Sequence, residues 1–296
     1  MMSEPLVYSA LATPFHSDGS IDWDSFEKLL EHQKESGVSG VVIAGTTGES
    51  PTLSVQEKLS LVRKARAYLP DSIKVMAGSG SNNTSQSVEL SKLSLESGAD
   101  SLLIVTPPYN KPSISGLKAH YEAINELNAP ICLYHVPGRT GHWLSVEQLR
   151  QLCEIENVTM VKEASGDLAF FSRAAYSCDA QFLSGDDPTY LASLAIGGSG
   201  VVSVVTNVFP KAFVDLSKAL TSGNMAQAQT INRILLPFVD ILFCESNPSP
   251  LKACLEKMQI CQNTFRLPMA PISKGNQQKV VKLFRETESA LEGLKL

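Results

Sequence analysis

Lys162 lies in Val158-Thr159-Met160-Val161-Lys162-Glu163-Ala164-Ser165-Gly166-Asp167, an apolar run that closes on a glycine and a helix start. If that run is a buried parallel strand, the lysine has no water to reach. A desolvated ammonium loses much of its advantage over the neutral amine, and the neutral amine attacks carbonyls. Two upstream segments have the same character: Val41-Val42-Ile43-Ala44-Gly45-Thr46-Thr47-Gly48-Glu49 and Ile131-Cys132-Leu133-Tyr134-His135-Val136-Pro137. Each ends in polar groups suited to a small anionic substrate. Together the three segments point to Schiff-base chemistry.

Each candidate also has a plainer reading. Side chains alternate along a strand, so Met160, Lys162 and Ala164 share one face and Val161 and Glu163 the other. Lys162 can thus point into a cavity, or pair with a carboxylate at a strand end. Gly45-Thr46-Thr47-Gly48 is either a tight turn or a nest of N–H groups and two hydroxyls that holds a carboxylate. Tyr134 is either a core tyrosine or a proton donor and acceptor during imine formation. Arg139, expected on a loop, is either a solvated charge or a bidentate carboxylate clamp. His135 reads as a supporting residue and not as a base. The sequence has no G-x-x-x-x-G-K-[ST], H-E-x-x-H or G-x-S-x-G, and its five histidines show no metal spacing. Gly197-Gly198-Ser199-Gly200 precedes a strand instead of opening a helix, so it is no dinucleotide fingerprint.

Elements that could position these groups recur along the chain. Eight β-branched runs fall near 6–13, 38–45, 73–79, 100–106, 130–136, 158–164, 180–185 and 200–206. Between them lie helical patterns, two opened by the capping boxes Ser54-Val55-Gln56-Glu57 and Ser145-Val146-Glu147-Gln148. Glu35-Ser36-Gly37 and Glu96-Ser97-Gly98 close helices with glycine and lead at once into strands. The strands are nearly continuous apolar runs, as in a parallel sheet covered on both faces. Eight strands alternating with helices predict an α/β fold, a (β/α)8 TIM barrel, with a doubly wound open sheet as the alternative. After about residue 222 the strands stop and helices are predicted over 224–245, 248–259 and 276–291. The expected division is a catalytic barrel over 1–222 and a helical C-terminal extension over 223–296. A barrel's active site lies at the C-terminal ends of its strands. Thr46, Thr47, Tyr109, Tyr134 to Arg139, Lys162, Gly185 and Asp186 all fall there.

Composition limits the remaining possibilities. At 296 residues the chain can bury a full core. A net charge of −5 without any Lys/Arg block argues against nucleic acid or anionic membrane as partner. Six cysteines without C-x-x-C or metal spacing read as reduced thiols. Met1-Met2-Ser3-Glu4-Pro5 lacks the basic start and apolar core of a leader, and no apolar stretch approaches a membrane span. A cytoplasmic protein is expected.

The segments above, in this order, resemble the dihydrodipicolinate synthases. The resemblance runs from Ala10-Leu11-Ala12-Thr13-Pro14-Phe15 to Leu267-Pro268-Met269-Ala270-Pro271. Its specific pieces are Gly45 to Ser50, Pro108-Tyr109-Asn110-Lys111-Pro112, Tyr134 to Gly141 and Lys162 to Asp167. Glu245-Ser246-Asn247-Pro248, followed by Leu251-Lys252, adds to it. Arg139-Thr140-Gly141 after the Y-x-V-P turn favours the synthases over sialic acid lyases and sugar-acid aldolases. His135 and Gly138 depart from the usual pattern at positions without a catalytic role.

The resemblance implies condensation of pyruvate with L-aspartate-4-semialdehyde, the committed step of lysine and diaminopimelate biosynthesis. It implies Lys162 as the imine-forming residue, a proton relay of Thr47, Tyr134 and a Tyr109 donated by a neighbouring subunit, and hence a homotetramer. Thr46 and Thr47 would hold the pyruvate carboxylate and Arg139 that of the semialdehyde, with Gly185 and Val202 lining the substrate pocket. No cofactor is implied. Relatives inhibited by lysine bind it at a dimer interface; the matching positions are Ser50, Pro51, Val55, Lys58, Asn82, Gln86 and Pro108. Only Ser50 and Asn82 retain the inhibited relatives' residues, so feedback is expected to be weak or absent. Another pyruvate-dependent lyase and a non-enzymatic sensor on the same fold are the alternatives.

Overall fold

The structure, a computed structural model, describes residues 4–294. Met1, Met2 and Ser3, the start of the segment read above for a leader, lie outside the described residues, as do Lys295 and Leu296. β1 (Leu6–Ala10) leads to α1 (Trp23–Ser36) and β2 (Gly40–Ile43). Then come α2 (Val55–Tyr68), β3 (Lys74–Gly78), α3 (Thr84–Glu96), β4 (Ser101–Val105) and α4 (Ile114–Asn125). These are followed by β5 (Ile131–His135), the one-turn α5 (Pro137–Thr140), α6 (Val146–Cys153) and β6 (Val158–Glu163). α7 (Leu168–Ser177), β7 (Gln181–Ser184), α8 (Tyr190–Ala195) and β8 (Gly200–Ser203) continue the alternation. α9 (Pro210–Thr221), α10 (Met225–Ile241), α11 (Ser249–Lys257) and α12 (Lys274–Glu292) end it. The eight strands form a closed parallel barrel in chain order. The open-sheet alternative is excluded.

The described residues fall into two compact units, one of residues 54–202 and one combining the residues up to 53 with those from 203 on. In the first, the pleat sorts each strand into two faces. Leu102, Ile104, Leu133, Val161 and Phe182 form one buried cluster with Leu117, Tyr121, Leu149 and Phe171 from α4, α6 and α7. The alternate residues face the other way and stand opposite one another: Leu103 beside Cys132, Cys132 beside Met160, Tyr134 beside Lys162, Lys162 beside Leu183. The same alternation that buries the outer layer therefore puts Tyr134 and Lys162 on the inner face. Both predicted capping boxes form, at Ser54/Glu57 and Ser145/Gln148, which satisfies first-turn N–H groups that would otherwise be orphaned.

In the second unit β1 pairs with β2, Tyr8 opposite Gly40 through Ala10 opposite Val42. Gly37 closes α1 in the left-handed region at φ 71°, as its position predicts. The end of β1 is held by the Asn207 amide, which donates to the Ala10 carbonyl at 2.7 Å and accepts from the Ala12 N–H at 3.0 Å. Phe209, Phe238 and Phe284 pack α10 and α12 together, with the Phe209 ring centre 5.0 Å and 5.7 Å from the other two. α10 ends at Ile241, four residues before the predicted boundary. Glu245 explains the early stop: its carboxylate accepts from the Ser273 N–H at 3.1 Å and the Asn276 side chain at 2.7 Å, so it serves the start of α12.

Candidate active site

Lys162 ends the inner face of β6, and both it and Tyr134 are only 6% exposed. The Lys162 Nζ lies 4.2 Å from the centre of the Tyr134 ring. Gly185, just past β7, makes room for the lysine stem. A Cβ there would lie 3.0 Å from Lys162 Cε, 2.6 Å from Ala164 Cβ and 3.1 Å from the Glu163 carbonyl. Cys132, two residues before Tyr134 on the same face, is fully buried, and that burial pushes its thiol up to about 12. It stays protonated at neutral pH and does not compete as a nucleophile.

On the opposite face His135 and Glu163 form a fully enclosed pair, Nδ1 to Oε1 at 3.2 Å. The Leu144 N–H donates to His135 Nε2 at 3.3 Å, so Nδ1 carries the proton and donates to the carboxylate. Glu163 Oε1 also accepts from the Ser165 N–H at 2.8 Å. This pair fixes the turn that follows Lys162, the supporting role expected of His135. Asp186, in the loop after β7, has its carboxyl raised by burial, with the nearby Glu163 charge adding to the effect.

Two predicted residues lie apart from that enclosed pair. Arg139 is not on an irregular loop, as expected, but in α5, which Pro137 opens at its first turn and Gly141 closes at φ 67°. Its guanidinium is exposed and has no side-chain partner among the described residues. Tyr109 is 90% exposed, with its backbone in the left-handed region at φ 74°. Its loop is braced by Asn82, which donates to the Pro108 carbonyl at 3.3 Å and accepts at its own carbonyl from Asn110 at 3.0 Å. Val202 is buried on β8.

Thr46 and Thr47 belong to the turn after β2. The Glu49 and Ser50 N–H groups close it onto the Thr46 and Gly45 carbonyls, and Thr13 donates its hydroxyl to the Gly48 carbonyl at 2.7 Å. At Gly48 a Cβ would lie 3.1 Å from the Leu11 carbonyl, a tighter approach than side chains ordinarily make. Ala44 and Glu49, at either end, both sit at φ 55° without being glycine, a strain that persists only when the surroundings impose it. The constraint comes from far along the chain. Lys252 on α11, fully buried, donates to Glu49 and to the Thr264 carbonyl, the latter at 2.8 Å, and lies over the Phe15 and Phe265 rings. Burial pushes the Lys252 ammonium down while the Glu49 charge pulls it back up. Arg266 adds its N–H to Glu49 Oε2 at 3.4 Å and its guanidinium to the Thr52 carbonyl at 2.8 Å. Asn247 donates to the Thr47 hydroxyl oxygen at 3.0 Å. Glu49, Asn247 and Lys252 stand within recognisable sequence motifs, but their contacts are not visible there, because polar residues 200 positions apart share no local pattern.

Residues 5–287 match the dihydrodipicolinate synthetase family. The chain belongs to that family. Among its relatives is the 4-hydroxy-tetrahydrodipicolinate synthase of Leptospira biflexa, 43% identical over 93% of this chain and 95% of the relative. The synthase structure from Methylacidiphilum fumariolicum SolV superposes with a TM-score of 0.94 at 37% identity, covering 98% of both chains. The chloride-inhibited dihydrodipicolinate synthase of Acinetobacter baumannii, complexed with pyruvate, gives 0.93 at 36% identity, covering 97% of this chain and 99% of its own. Among the described residues no helix is long and apolar enough to cross a membrane.

Proposed function

We infer that the chain is a 4-hydroxy-tetrahydrodipicolinate synthase, condensing pyruvate with L-aspartate-4-semialdehyde at the committed step of lysine and diaminopimelate biosynthesis in the cytoplasm. The observation that carries this reading is a buried lysine at the end of a barrel strand beside a buried tyrosine, Lys162 and Tyr134, in a chain of this family. The pyruvate complex of the Acinetobacter baumannii relative supports the first substrate.

The neutral Lys162 amine attacks the ketone carbon of pyruvate, whose carboxylate rests on Thr46 and Thr47, and water leaves to form the imine. Loss of a methyl proton gives the enamine, which adds to the aldehyde carbon of the second substrate. The amino group of the new chain then displaces Lys162, releasing the lysine as the ring closes. Thr47, Tyr134 and a Tyr109 from a neighbouring subunit pass the protons, while Gly185 and Val202 shape the pocket. The exposed, braced Tyr109 suits donation to another copy, and with it a homotetramer. Residues 1–222 serve as the catalytic barrel and 223–296 as its extension.

Arg139 distinguishes this reading from other pyruvate-dependent lyases, since an uncommitted guanidinium suits a second carboxylate and not a polyol. The deciding experiment compares turnover of pyruvate with aspartate semialdehyde against pyruvate with mannosamine derivatives or glyceraldehyde. It is repeated on Arg139→Ala. Semialdehyde use should fall about tenfold to a hundredfold with imine formation spared, the scale of a lost charge-assisted bond. Preference for a polyol aldehyde, or equal loss in both half-reactions, overturns the assignment.

A further inference from the structure

We propose that Cys153 and Cys178 form a peroxide-reactive dithiol site, which closes into a disulfide and staples the segment that carries Lys162. The topology brings the two together. Cys153 is the last residue of α6, and Cys178 caps the end of α7. Cys153 stands just before β6 and Cys178 just before β7, and those strands are paired, Met160 opposite Gln181. Both cysteines pack against one buried cluster, which includes Leu149 and Leu152 of α6 and Phe171 and Ala174 of α7. Their thiols are close enough to hydrogen-bond each other, and both remain partly exposed.

Their surroundings divide the roles. The bond from Cys153 holds the Cys178 thiol below its usual value against the effect of burial, and the Arg150 charge adds to the lowering. Cys153 is raised by the same bond, by burial and by the Glu154 charge. The thiolate is the reactive form, and a lowered thiol beside a second cysteine is the arrangement that oxidises reversibly. The Cys178 thiolate attacks one oxygen of hydrogen peroxide; the O–O bond breaks, hydroxide leaves and Cys178 becomes a sulfenic acid. The Cys153 sulfur then attacks the Cys178 sulfur. The S–S bond forms as the S–O bond breaks, and the Cys153 proton leaves with the hydroxide as water. Two thiols lose two electrons and the peroxide gains them.

The loop closed by this bond, residues 153–178, contains β6, Lys162 and α7. A cross-link across it restricts the unfolded chain and so favours the folded one. α6 and α7 both run back from the strand ends that bear Tyr134 and Lys162, so the two cysteines lie toward the opposite end of the barrel. The staple therefore tightens the lysine-bearing segment without entering the candidate site.

The test treats the full-length protein with hydrogen peroxide, alkylates the remaining thiols and maps the peptides without reduction. Trypsin cuts at Lys162 and Arg173 between the two cysteines, so a linked pair of peptides identifies the bond. That pair should appear, and Tm should rise by about 5–10 °C and return when dithiothreitol is added. Cys153→Ser should lose both the link and the rise in Tm, while its Cys178 sulfenic acid is captured by dimedone. Cys178→Ser should leave Cys153 as a free thiol. The exposed Cys244 is the internal control for peroxide exposure. Modification of Cys244 with Cys153 and Cys178 still free overturns the site. A link formed with no change in Tm overturns the staple, and a sulfenic acid found on Cys153 and not on Cys178 overturns the division of roles. The parental protein alone decides the first two points, so a variant that fails to fold does not shelter the proposal.

Discussion

Tyr134 and Lys162 are direct cross-strand partners on β5 and β6, with the lysine nitrogen 4.2 Å above the centre of the phenol ring. The lysine stem thus packs against the face of the ring. In the proposed mechanism the hydroxyl transfers protons. Tyr134→Phe should keep Lys162 as the residue that borohydride traps in the presence of pyruvate, yet slow imine formation by about a hundredfold or more. Intact mass and peptide mapping over a time course read both quantities. Trapping at the parental rate would remove the phenol from the mechanism, and an adduct on another lysine would remove Lys162.

Gly185→Ala tests how closely the lysine stem is confined. The added methyl would meet Ala164 Cβ at 2.6 Å and Lys162 Cε at 3.0 Å, both too near to remain in place. Overpacking of this kind costs roughly 1–3 kcal/mol. A lower Tm should accompany a fall in trapping rate larger than the fall in any activity-independent probe of folding. Parental trapping in a folded variant would mean that Lys162 has room to spare.

Asp186 offers a prediction with a definite sign. Its carboxyl is raised in the folded protein, chiefly by burial. Folding is therefore favoured by this group at acid pH, and that contribution is lost as pH rises through the folded pKa. Asp186→Asn, which never ionises, should melt at a higher temperature than the parent near pH 7, and the difference should shrink below the ordinary carboxylate range. Thermal melts across that range decide it; a constant difference at every pH would assign the effect to packing.

Lysine should inhibit weakly or not at all. Gln86 is exposed and carries no charge for a ligand's ammonium, while the Lys58 ammonium is already pushed down by burial and would repel a cationic ligand. Asn82, one of the two residues retained from inhibited relatives, has its side-chain amide donated to the Pro108 carbonyl. A titration of steady-state activity should show no half-inhibition below about 1 mM, a binding free energy of roughly −4 kcal/mol. Inhibition below that concentration would mean that a different set of ligands serves this site.

The barrel was legible because its signal is periodic. Continuous apolar strands, two capping boxes and helix-closing glycines each act within a few residues, and alternation alone put Tyr134 and Lys162 on one face. What was not legible depends on contacts without a period. Arg139 gained a helical turn from only four residues, too few for any hydrophobic repeat, although Pro137 and Gly141 mark its ends. Gly185 looked like a pocket residue, and nothing in its neighbours announces that a methyl there would strike the lysine stem. The grip of Asn247 and Lys252 on the turn after β2 joins polar residues across some 200 positions, where sequence patterns say nothing about proximity.

That long reach has a consequence for the order in which the protein matures. The hydroxyl of Thr47 leaves the ribosome's catalytic centre 200 residues before the amide that bonds to it. At about 5–20 residues per second, translation puts roughly 10–40 s between the two. Through that interval the turn bearing Thr46 and Thr47 exists without Lys252, Arg266 or Asn247, and its left-handed ends have nothing to enforce them. The nascent chain can fold strands and helices while it is being made, but the turn cannot gain its bond to Asn247 until Asn247 itself has been added.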